Sequence, residues 1–243
     1  MTMSKTEAWF QTASDSTVTV RFSKDEDAPP RFHVGYWSIR GLCAPLRMML
    51  FAARADFVCH MYDIQEDSDA KAGWVTGYFK EKAENLLQYN PFMNLPYVAD
   101  QQEKLVVTQS NACLQYLGDQ LGMMGQTAAE HTFCVQLLCE VYDLRDAMVK
   151  HAYGSPADTA EAAVQTAQKH FAKFDKHLET KDNKCFLIGD SFTAPDFHLF
   201  EMIDQFDQLC KTNEFEDCLA EYPHVRAFYT AFAQLEYVVS KVR

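Results

Sequence analysis

The stretch Val107-Thr108-Gln109-Ser110-Asn111 contains the end of a predicted strand, a short polar turn and the start of a predicted helix. Leu105-Val106-Val107 consists of residues typical of strands, and residues 112–117 continue as a helix. The first N–H groups of a helix have no partner within it and lie at the positive end of its dipole. The stretch therefore suits a carboxylate or phosphate ligand, although an ordinary helix cap is the simpler interpretation of these residues alone.

The residues upstream of this stretch predict a small α/β domain. A first strand, Phe32 to Trp37, leads into a helix that has Pro45 in its first turn. A second strand, a polar helix and a hairpin of two strands then precede the helix that starts at Ser110. The predicted ranges are 56–63 for the strand, 70–85 for the polar helix, 96–100 and 104–108 for the hairpin, and 110–121 for the last helix. The order over residues 31–121 is therefore βαβ-αββα.

The residues downstream predict a second, all-helical domain over residues 128–243, after a linker at Gly122 to Gln126. Its predicted helices are 131–150, 158–180, 196–209 and 224–235. Thr193 and Asp196 have the spacing of a capping box, in which the acidic side chain reaches back to the start of the helix. The predicted fold class is thus α/β plus all-α, with a helical bundle as its second part.

Residues 1–30 form a polar N-terminal extension of mixed charge that ends in Asp25-Glu26-Asp27-Ala28-Pro29-Pro30. Such a composition predicts a disordered or loosely attached segment. Thr17 to Phe22 alternates in the manner of a strand, so a little order is compatible with the sequence.

Composition restricts the classes of function. A formal net charge of −12 argues against general binding to nucleic acid or to anionic lipid. No apolar run approaches the roughly 18 residues that span a bilayer, and we expect no secretory signal. The eight cysteines include no Cys-x-x-Cys pair and no spacing typical of a zinc site. We therefore expect free thiols in a reducing, cytoplasmic environment, with no metal.

Four motifs resemble those of the cytosolic glutathione S-transferases, most closely the mu class, with the sigma class as a near alternative. They are Gly35 to Leu42, Asn94-Leu95-Pro96-Tyr97, Thr108 to Asn111, and Gly189 to Phe197. The resemblance extends from about residue 32 to the C-terminal helix. It implies a thioredoxin-like domain followed by a helical domain, assembled as a homodimer. It also implies glutathione as co-substrate and a small apolar electrophile as acceptor.

The resemblance implies that Tyr36 is the catalytic residue. In the family, the tyrosine at this place donates a hydrogen bond to the sulfur of glutathione and favours the thiolate. The thiolate is the nucleophile, and a free thiol ionises only near pH 8.5. Trp37 would line the glutathione site and touch the acceptor pocket. The alternative for both residues is packing in the core.

The resemblance also assigns residues to the tripeptide itself. Leu95, before a cis Pro96, would pair its backbone with the cysteinyl part, and Asn94 would make a second contact. Gln109 and Ser110 would hold the γ-glutamyl group. The family often takes a carboxylate for the glutamyl ammonium from the partner subunit, and we favour Asp146 of the partner over Asp143 for that role.

The glycyl end of glutathione is where the sequence departs from the mu pattern. Trp74 and Lys71 match the expected tryptophan and basic residue. The family places a lysine four residues after the tryptophan, but this chain has Tyr78 there. We expect Lys82 to supply the missing charge.

The remaining assignments are less specific. Leu42, Met148 and Tyr153 are candidates for the apolar acceptor site, and Phe92 for a dimer contact. Cys43 lies just before Pro45 at a helix start, where a thiolate is favoured. A glutathione-dependent thiol transferase that uses Cys43 is therefore one alternative function. A non-catalytic carrier of glutathione or of apolar ligands is another, and an isomerase that uses Tyr36 is a third.

Overall fold

The computed structural model describes residues 8–25, 27–71, 73–155, 158–182 and 185–235. The chain divides between Tyr116 and Leu117 into two compact units. The division falls within a helix, a few residues before the linker predicted at 122–126. The N-terminal unit combines sheet and helices, whereas the described part of the C-terminal unit is helical, so the predicted fold class is confirmed.

The N-terminal unit is built on a five-stranded sheet. Its strands and helices are β1 (Ser16–Val20), β2 (Phe32–Trp37), α1 (Ala44–Ala52), β3 (Phe57–Tyr62), β4 (Gln65–Glu66), β5 (Trp74–Val75), α2 (Tyr78–Glu84), β6 (Tyr97–Asp100), β7 (Leu105–Thr108) and α3 (Ser110–Leu121). The strand order is β1-β3-β2-β6-β7. Strands β2 and β3 are parallel, with α1 as the crossover that such a pair needs, whereas β6 and β7 are antiparallel to their neighbours.

The segment between β3 and β6 differs from the single helix predicted over residues 70–85. It forms a small hairpin of β4 and β5 and only then the short helix α2. Gly73 has a φ of 74° in the turn of that hairpin, a conformation that glycine adopts at little cost. The polar composition of the segment did not distinguish an exposed hairpin from a helix.

The N-terminal residues are also more ordered than the predicted loose extension. Strand β1 pairs antiparallel with β3 and becomes the edge of the sheet. Residues 8–15, which we call the N-terminal arm, precede it. Phe10 of the arm is 1% exposed and packs in a core cluster with Tyr97. Contacts far apart in the sequence therefore order a segment whose local composition favours disorder.

A chain of four buried or half-buried polar side chains connects the arm to the sheet. The Gln101 amide nitrogen donates to His33 Nε2 at 3.0 Å, and His33 Nδ1 lies 2.8 Å from His60 Nε2. His60 Nδ1 lies 3.3 Å from the Ser14 hydroxyl. Because the amide nitrogen can only donate, each neutral histidine carries its proton on Nδ1 and donates along the chain. Burial lowers the pKa of both histidines to about 4.

The C-terminal unit packs its helices around an aromatic core. The helices are α4 (Ala128–Tyr153), α5 (Ala160–Glu179), α6 (Ala194–Thr212) and α7 (Pro223–Ala233). The Phe232 ring of α7 lies 5.2 Å from the Phe197 ring and 4.9 Å from the Phe200 ring, both in α6. Across the described ranges of the chain, no helix is both long and apolar enough to cross a membrane.

The predicted capping box forms at the start of α6. Asp196 is fully buried and accepts hydrogen bonds from the Thr193 N–H and hydroxyl, each at 2.7 Å. It also accepts one from the Leu187 N–H at 2.8 Å. Burial raises the pKa of Asp196 to about 7, although these hydrogen bonds oppose the shift. One side chain thus fixes both the helix start and the loop before it.

We expect Asp196→Ala to lower the free energy of unfolding by about 3 kcal/mol, because it leaves buried N–H donors of Leu187 and Thr193 without acceptors. Urea unfolding followed by circular dichroism measures the change. Asp190→Ala, which removes an exposed carboxylate in the same loop, should change it by no more than about 0.5 kcal/mol. Equal effects of the two substitutions would contradict the role of Asp196.

The buried histidines predict a loss of stability in acid. Their folded-state pKa of about 4 lies below the ordinary value of 6.5, so the unfolded chain binds protons first as the pH falls from 6.5 to 4. Each histidine then costs up to about 1.4 kcal/mol of stability per pH unit. His60→Gln should therefore make the dependence of unfolding free energy on pH shallower across this range. His131→Gln, at an exposed position, should not; the same slope in both variants would refute the assignment.

Candidate active site

Three predicted motifs meet where the neighbouring strands β2, β6 and β7 end on the same side of the sheet. The register pairs Gly35 of β2 with Tyr97 of β6, and Tyr97 with Thr108 of β7. Each of these pairs is followed by a predicted site residue: Tyr36 comes after Gly35, Pro96 directly precedes β6, and Gln109 directly follows β7. The backbone pairing therefore brings the segment of Tyr36 close to two segments that lie 60 and 73 residues further along the sequence.

Tyr36 is 7% exposed, and its ring lies over the turn that follows β2. A Cβ atom at Gly41 would lie 2.6 Å from a ring carbon of Tyr36 and 2.8 Å from its hydroxyl oxygen. Gly41 also has a φ of 41°, in the left-handed region where residues with a Cβ are disfavoured. Only glycine at this position lets the turn fold under the Tyr36 hydroxyl.

A buried guanidinium supplies positive charge near Tyr36. The Arg47 Nη1 atom donates to the Ile39 carbonyl at 3.2 Å, so it supports the turn under the hydroxyl. Its Nε and Nη2 atoms are buried, and its neighbouring side-chain acceptors are the thiols of Cys43 and Cys59 rather than a carboxylate. Burial alone would lower the pKa of Arg47, but the ionisable groups of Cys43, Cys59 and Tyr36 raise it above its ordinary value.

Arg47 was not among the predicted site residues. The sequence does carry a signal, since Arg47 is the one charged residue in the apolar helix α1, Ala44–Ala52. A buried arginine without a carboxylate partner favours an anion nearby.

The Leu95–Pro96 peptide bond is cis, as the resemblance implied. Thr108 of β7 holds the segment from the other side. Its hydroxyl donates to the Asn94 carbonyl at 2.9 Å and accepts from the Asn94 N–H at 3.1 Å. Asn94, Leu95 and Pro96 are thereby fixed beside the end of β7.

Gln109 and Ser110 form the start of α3. Gln109 has a φ of 73°, a conformation that is uncommon for residues other than glycine and is concentrated at functional sites. Ser110 is 5% exposed, and the Cys113 N–H donates to the Gln109 carbonyl at 2.9 Å. The helix start predicted from the sequence is therefore present, and its strained first residue is a feature that the sequence did not predict.

The residues expected at the glycyl end lie around α2. Trp74 is 36% exposed and its ring lies 6.0 Å from that of Phe79. Lys71 is exposed in the preceding turn, and Lys82 is half-buried in α2. The Trp37 ring lies 5.3 Å from that of Tyr78 and 6.4 Å from that of Phe79. Both tryptophans of the predicted site thus contact aromatic residues of α2.

Tyr78, at the position where the mu pattern has a lysine, faces inward. It is 1% exposed, and its hydroxyl has no hydrogen-bond partner within the described residues. Burial raises the pKa of Tyr78 well above its ordinary value. Tyr78 therefore packs under Trp37 and offers no charge to a ligand, which leaves Lys71 and Lys82 as the candidates.

The other predicted residues lie in the loop before β6, in the turn before α1 and in the C-terminal unit. Phe92 is 80% exposed in the loop before β6, and Leu42 is half-buried in the turn before α1. In the C-terminal unit, Asp146 and Met148 are half-buried in α4, and Tyr153, at its last residue, is 81% exposed. Asp143 and Asp146 line a cavity of about 120 Å³ between α4 and α5, together with Lys150, His151 and Asp158.

Cys43 is fully buried, and burial raises the pKa of its thiol to about 12, against the opposing effect of Arg47. The expectation that the helix start favours a Cys43 thiolate is therefore wrong. The thiol does not reach solvent, and removal from water outweighs the helix dipole. This finding argues against the thiol transferase alternative.

Comparison with known families identifies both units. Residues 33–119 match the family described as glutathione S-transferase, N-terminal domain, and residues 142–240 match glutathione S-transferase, C-terminal domain. The class-mu 26 kDa glutathione S-transferase isozyme of Schistosoma japonicum is 30% identical over 181 residues, which cover 73% of this chain and 76% of that protein. The chain belongs to the glutathione S-transferase family.

Other glutathione S-transferases show the same extent of similarity. The class-mu 26 kDa isozyme of Schistosoma mansoni is 29% identical over 82% of this chain and 87% of its own length. Human glutathione S-transferase Mu 3 is 27% identical over 85% of each chain. The solved structure of the pi-class glutathione S-transferase of Onchocerca volvulus matches with a TM-score of 0.67 at 24% identity. It covers 84% of this chain and 88% of that one, and shows the shared fold.

We expect the thiol reagent 5,5′-dithiobis(2-nitrobenzoate) to modify Cys139 rapidly in the native protein and Cys43 only on unfolding. Cys139 is the exposed cysteine, whereas Cys43 is fully buried with a raised pKa. Mass spectrometry of the modified peptides distinguishes the two. Cys43→Ser should leave the rapid phase intact and Cys139→Ser should remove most of it. Rapid native modification of Cys43 would reopen the thiol transferase alternative.

Proposed function

We propose that this member of the glutathione S-transferase family conjugates glutathione to small apolar electrophiles. In this mechanism, the Tyr36 hydroxyl donates a hydrogen bond to the glutathione sulfur. The thiolate attacks an electrophilic carbon and forms a C–S bond, while the leaving group departs with the electron pair of the bond that breaks. The observation that supports this most is that Tyr36, Pro96 and Gln109 lie at the adjacent ends of the paired strands β2, β6 and β7.

The energy required of Tyr36 is modest. Lowering the pKa of a thiol by about 2 units requires about 2.7 kcal/mol of preferential stabilisation of the thiolate. One hydrogen bond to a charged group contributes roughly 1.5–3 kcal/mol. The positive charge of Arg47, within electrostatic reach of Tyr36, acts in the same direction. A single hydroxyl, supported by this charge, therefore supplies the required stabilisation.

In the proposed placement, glutathione lies across the ends of β7, β6 and β2. The γ-glutamyl carboxylate would bind the Ser110 hydroxyl and N–H at the start of α3, beside Gln109. The cysteinyl backbone would lie along Leu95, with Asn94 as a second contact and Pro96 beside it. This direction carries the sulfur to Tyr36. It also places the γ-glutamyl anion at the positive end of a helix dipole.

The glycyl carboxylate would bind Trp74 and the cations of Lys71 and Lys82, with Trp37 along the site. Asp146 of the partner subunit would pair with the glutamyl ammonium in a cytoplasmic homodimer, to which the exposed Phe92 contributes a contact. The proposed acceptor residues are Leu42, Met148 and Tyr153. The similar curated relatives named above carry a mu-class name, which supports a mu-like assignment.

We expect Tyr36→Phe to lower kcat/KM with an aryl halide by about 100-fold at pH 7, because about 2.7 kcal/mol of thiolate stabilisation is lost. The affinity for glutathione, measured by isothermal titration calorimetry, should stay within about threefold. The apparent pKa of the kcat/KM profile should rise. Tyr142→Phe, at a partly exposed position in α4, serves as the matched control.

Unchanged activity in Tyr36→Phe would refute the role of this hydroxyl. Glutathione binding without turnover in the unmodified protein would instead support the carrier alternative. An unmodified protein that neither binds nor conjugates glutathione would refute the proposed function altogether.

A further inference from the structure

The N-terminal arm lies outside the part of the chain that matches the family, since that match starts at residue 33. The arm nevertheless runs along α2. The Ala13 N–H and the Thr12 hydroxyl each donate to Glu81 Oε1 at 2.9 Å. One turn further along α2, the Asn85 side chain donates to the Gln11 carbonyl at 3.0 Å. Three successive residues of the arm thus bond to side chains of α2 or its C-cap.

Glu81 is the centre of these contacts. Its Oε1 atom also accepts from Asn85 Nδ2 at 2.7 Å, so one carboxylate oxygen joins the arm, α2 and the C-cap of the helix. Burial would raise the pKa of Glu81, but these hydrogen bonds lower it below its ordinary value. The carboxylate is therefore charged near neutral pH, and hydrogen bonds to a charged acceptor are the stronger ones.

Helix α2 has little to hold it in place by itself. It has seven residues, and its N-cap is Gly77, which has no side chain that could cap the helix. Helices of this length are marginal in water and depend on tertiary contacts. Its inner face is held by Tyr78, whose ring lies 5.1 Å from that of Tyr62. Glu81 and Asn85, to which the arm bonds, lie three and seven residues after Tyr78 and therefore on the same side of the helix.

The arm also reaches the segment that follows β3. The Thr12 hydroxyl lies 2.7 Å from the Tyr62 hydroxyl, and the Asp63 N–H donates to Asp15 Oδ2 at 2.8 Å. Asp63 in turn accepts from the Ser38 hydroxyl, two residues after Tyr36. The arm is therefore tied both to α2 and to the end of β3, after which the β4–β5 hairpin with Trp74 begins.

Helix α2 carries or contacts every residue proposed for the glycyl end of glutathione except Lys71. Lys82 lies in α2, next to Glu81. Phe79 of α2 contacts both Trp74 and Trp37. A shift of α2 would therefore move Lys82 relative to the strand ends beside Ser110 and Leu95, and would disturb the packing of both tryptophans against α2.

We propose that the N-terminal arm is a positioning element for glutathione, in which Thr12 and Glu81 hold α2 in the orientation that binds the glycyl end. This inference rests on the proposed function. In it, the unclamped α2 is a state that binds glutathione poorly. The measured dissociation constant is then the intrinsic one divided by the fraction of molecules in which α2 is held in place. Tyr36 takes no part in the contacts between Thr12 and Glu81, which we call the clamp, so the chemistry of bound glutathione is retained.

The substitution Thr12→Val tests the clamp with little change in side-chain volume. It removes the hydroxyl that bonds to Glu81 and Tyr62. Thr12→Ser restores that hydroxyl. Thr17→Val is the matched control, because Thr17 is exposed in β1 and pairs with β3 through its backbone. Glu81→Ala, which removes all three accepted hydrogen bonds, provides a stronger variant.

Three measurements are made on the full chain. They are the hydrogen exchange of the amides of residues 78–85 without ligand, the dissociation constant for glutathione by calorimetry, and kcat at saturating glutathione. Each lost hydrogen bond changes a conformational equilibrium by about two- to tenfold. We expect Thr12→Val to speed exchange in α2 and to weaken glutathione binding by about three- to tenfold. The kcat at saturating glutathione should stay within about twofold. Thr12→Ser and Thr17→Val should resemble the unmodified protein, and Glu81→Ala should exceed Thr12→Val.

The proposal is overturned if Thr12→Val weakens glutathione binding no more than Thr17→Val does. It is equally overturned if exchange in α2 accelerates while the dissociation constant stays the same, since the arm would then serve stability alone. A failure of the proposed function has a different signature, because the unmodified protein itself would not bind glutathione. In that case the arm loses its positioning role as well.

Discussion

The pairing of β2 with β6 is the constraint on which the site depends, and it requires a glycine. A Cβ atom at Gly35 would lie 2.1 to 2.5 Å from the Tyr97 ring and hydroxyl. Without a side chain there, Tyr97 lies across β2 and its hydroxyl reaches that of Tyr62 at 3.0 Å. The register of β2 on β6 brings Tyr36 close to Pro96, and the register of β6 on β7 brings Pro96 close to Gln109. A slip of one residue would turn Tyr36 to the other face of the sheet.

The electrostatics of the protein are opposite in sign to those of its candidate site. The chain carries a formal net charge of −12, which by itself disfavours an anionic ligand. The site counters this field locally with the start of α3 and with the buried charge of Arg47. Because charges act more strongly away from water, one buried guanidinium outweighs many solvated carboxylates at short range. Burial also raises the pKa of the Cys43 thiol, so two residues four positions apart at the start of α1 are affected in opposite ways.

The N-terminal arm illustrates the limit of local composition. Residues 8–15 contain two large apolar side chains, Trp9 and Phe10, within an otherwise polar leader, and Phe10 is buried among Tyr97 and its neighbours. Gln101, from the loop after β6, pairs with both backbone groups of Phe10, at 3.0 and 3.1 Å. A side-chain amide thereby replaces a missing strand partner. The hydrogen-bond partners of the arm in the rest of the unit lie 46 to 91 residues away in the chain, and no local pattern reports them.

The sequence by itself determined the elements outside the N-terminal extension and the segment between β3 and β6, the capping box at Asp196, the helix start at Ser110 and the family, because each depends on neighbouring residues or on short motifs. The tertiary structure alone decided the inward position of Tyr78, the positive φ of Gln109, the place of Arg47 near Tyr36 and the docking of the arm on α2. These depend on which distant groups share a buried space. Burial and long-range hydrogen bonds, which no short stretch of sequence contains, set the charge and the conformation of the candidate site.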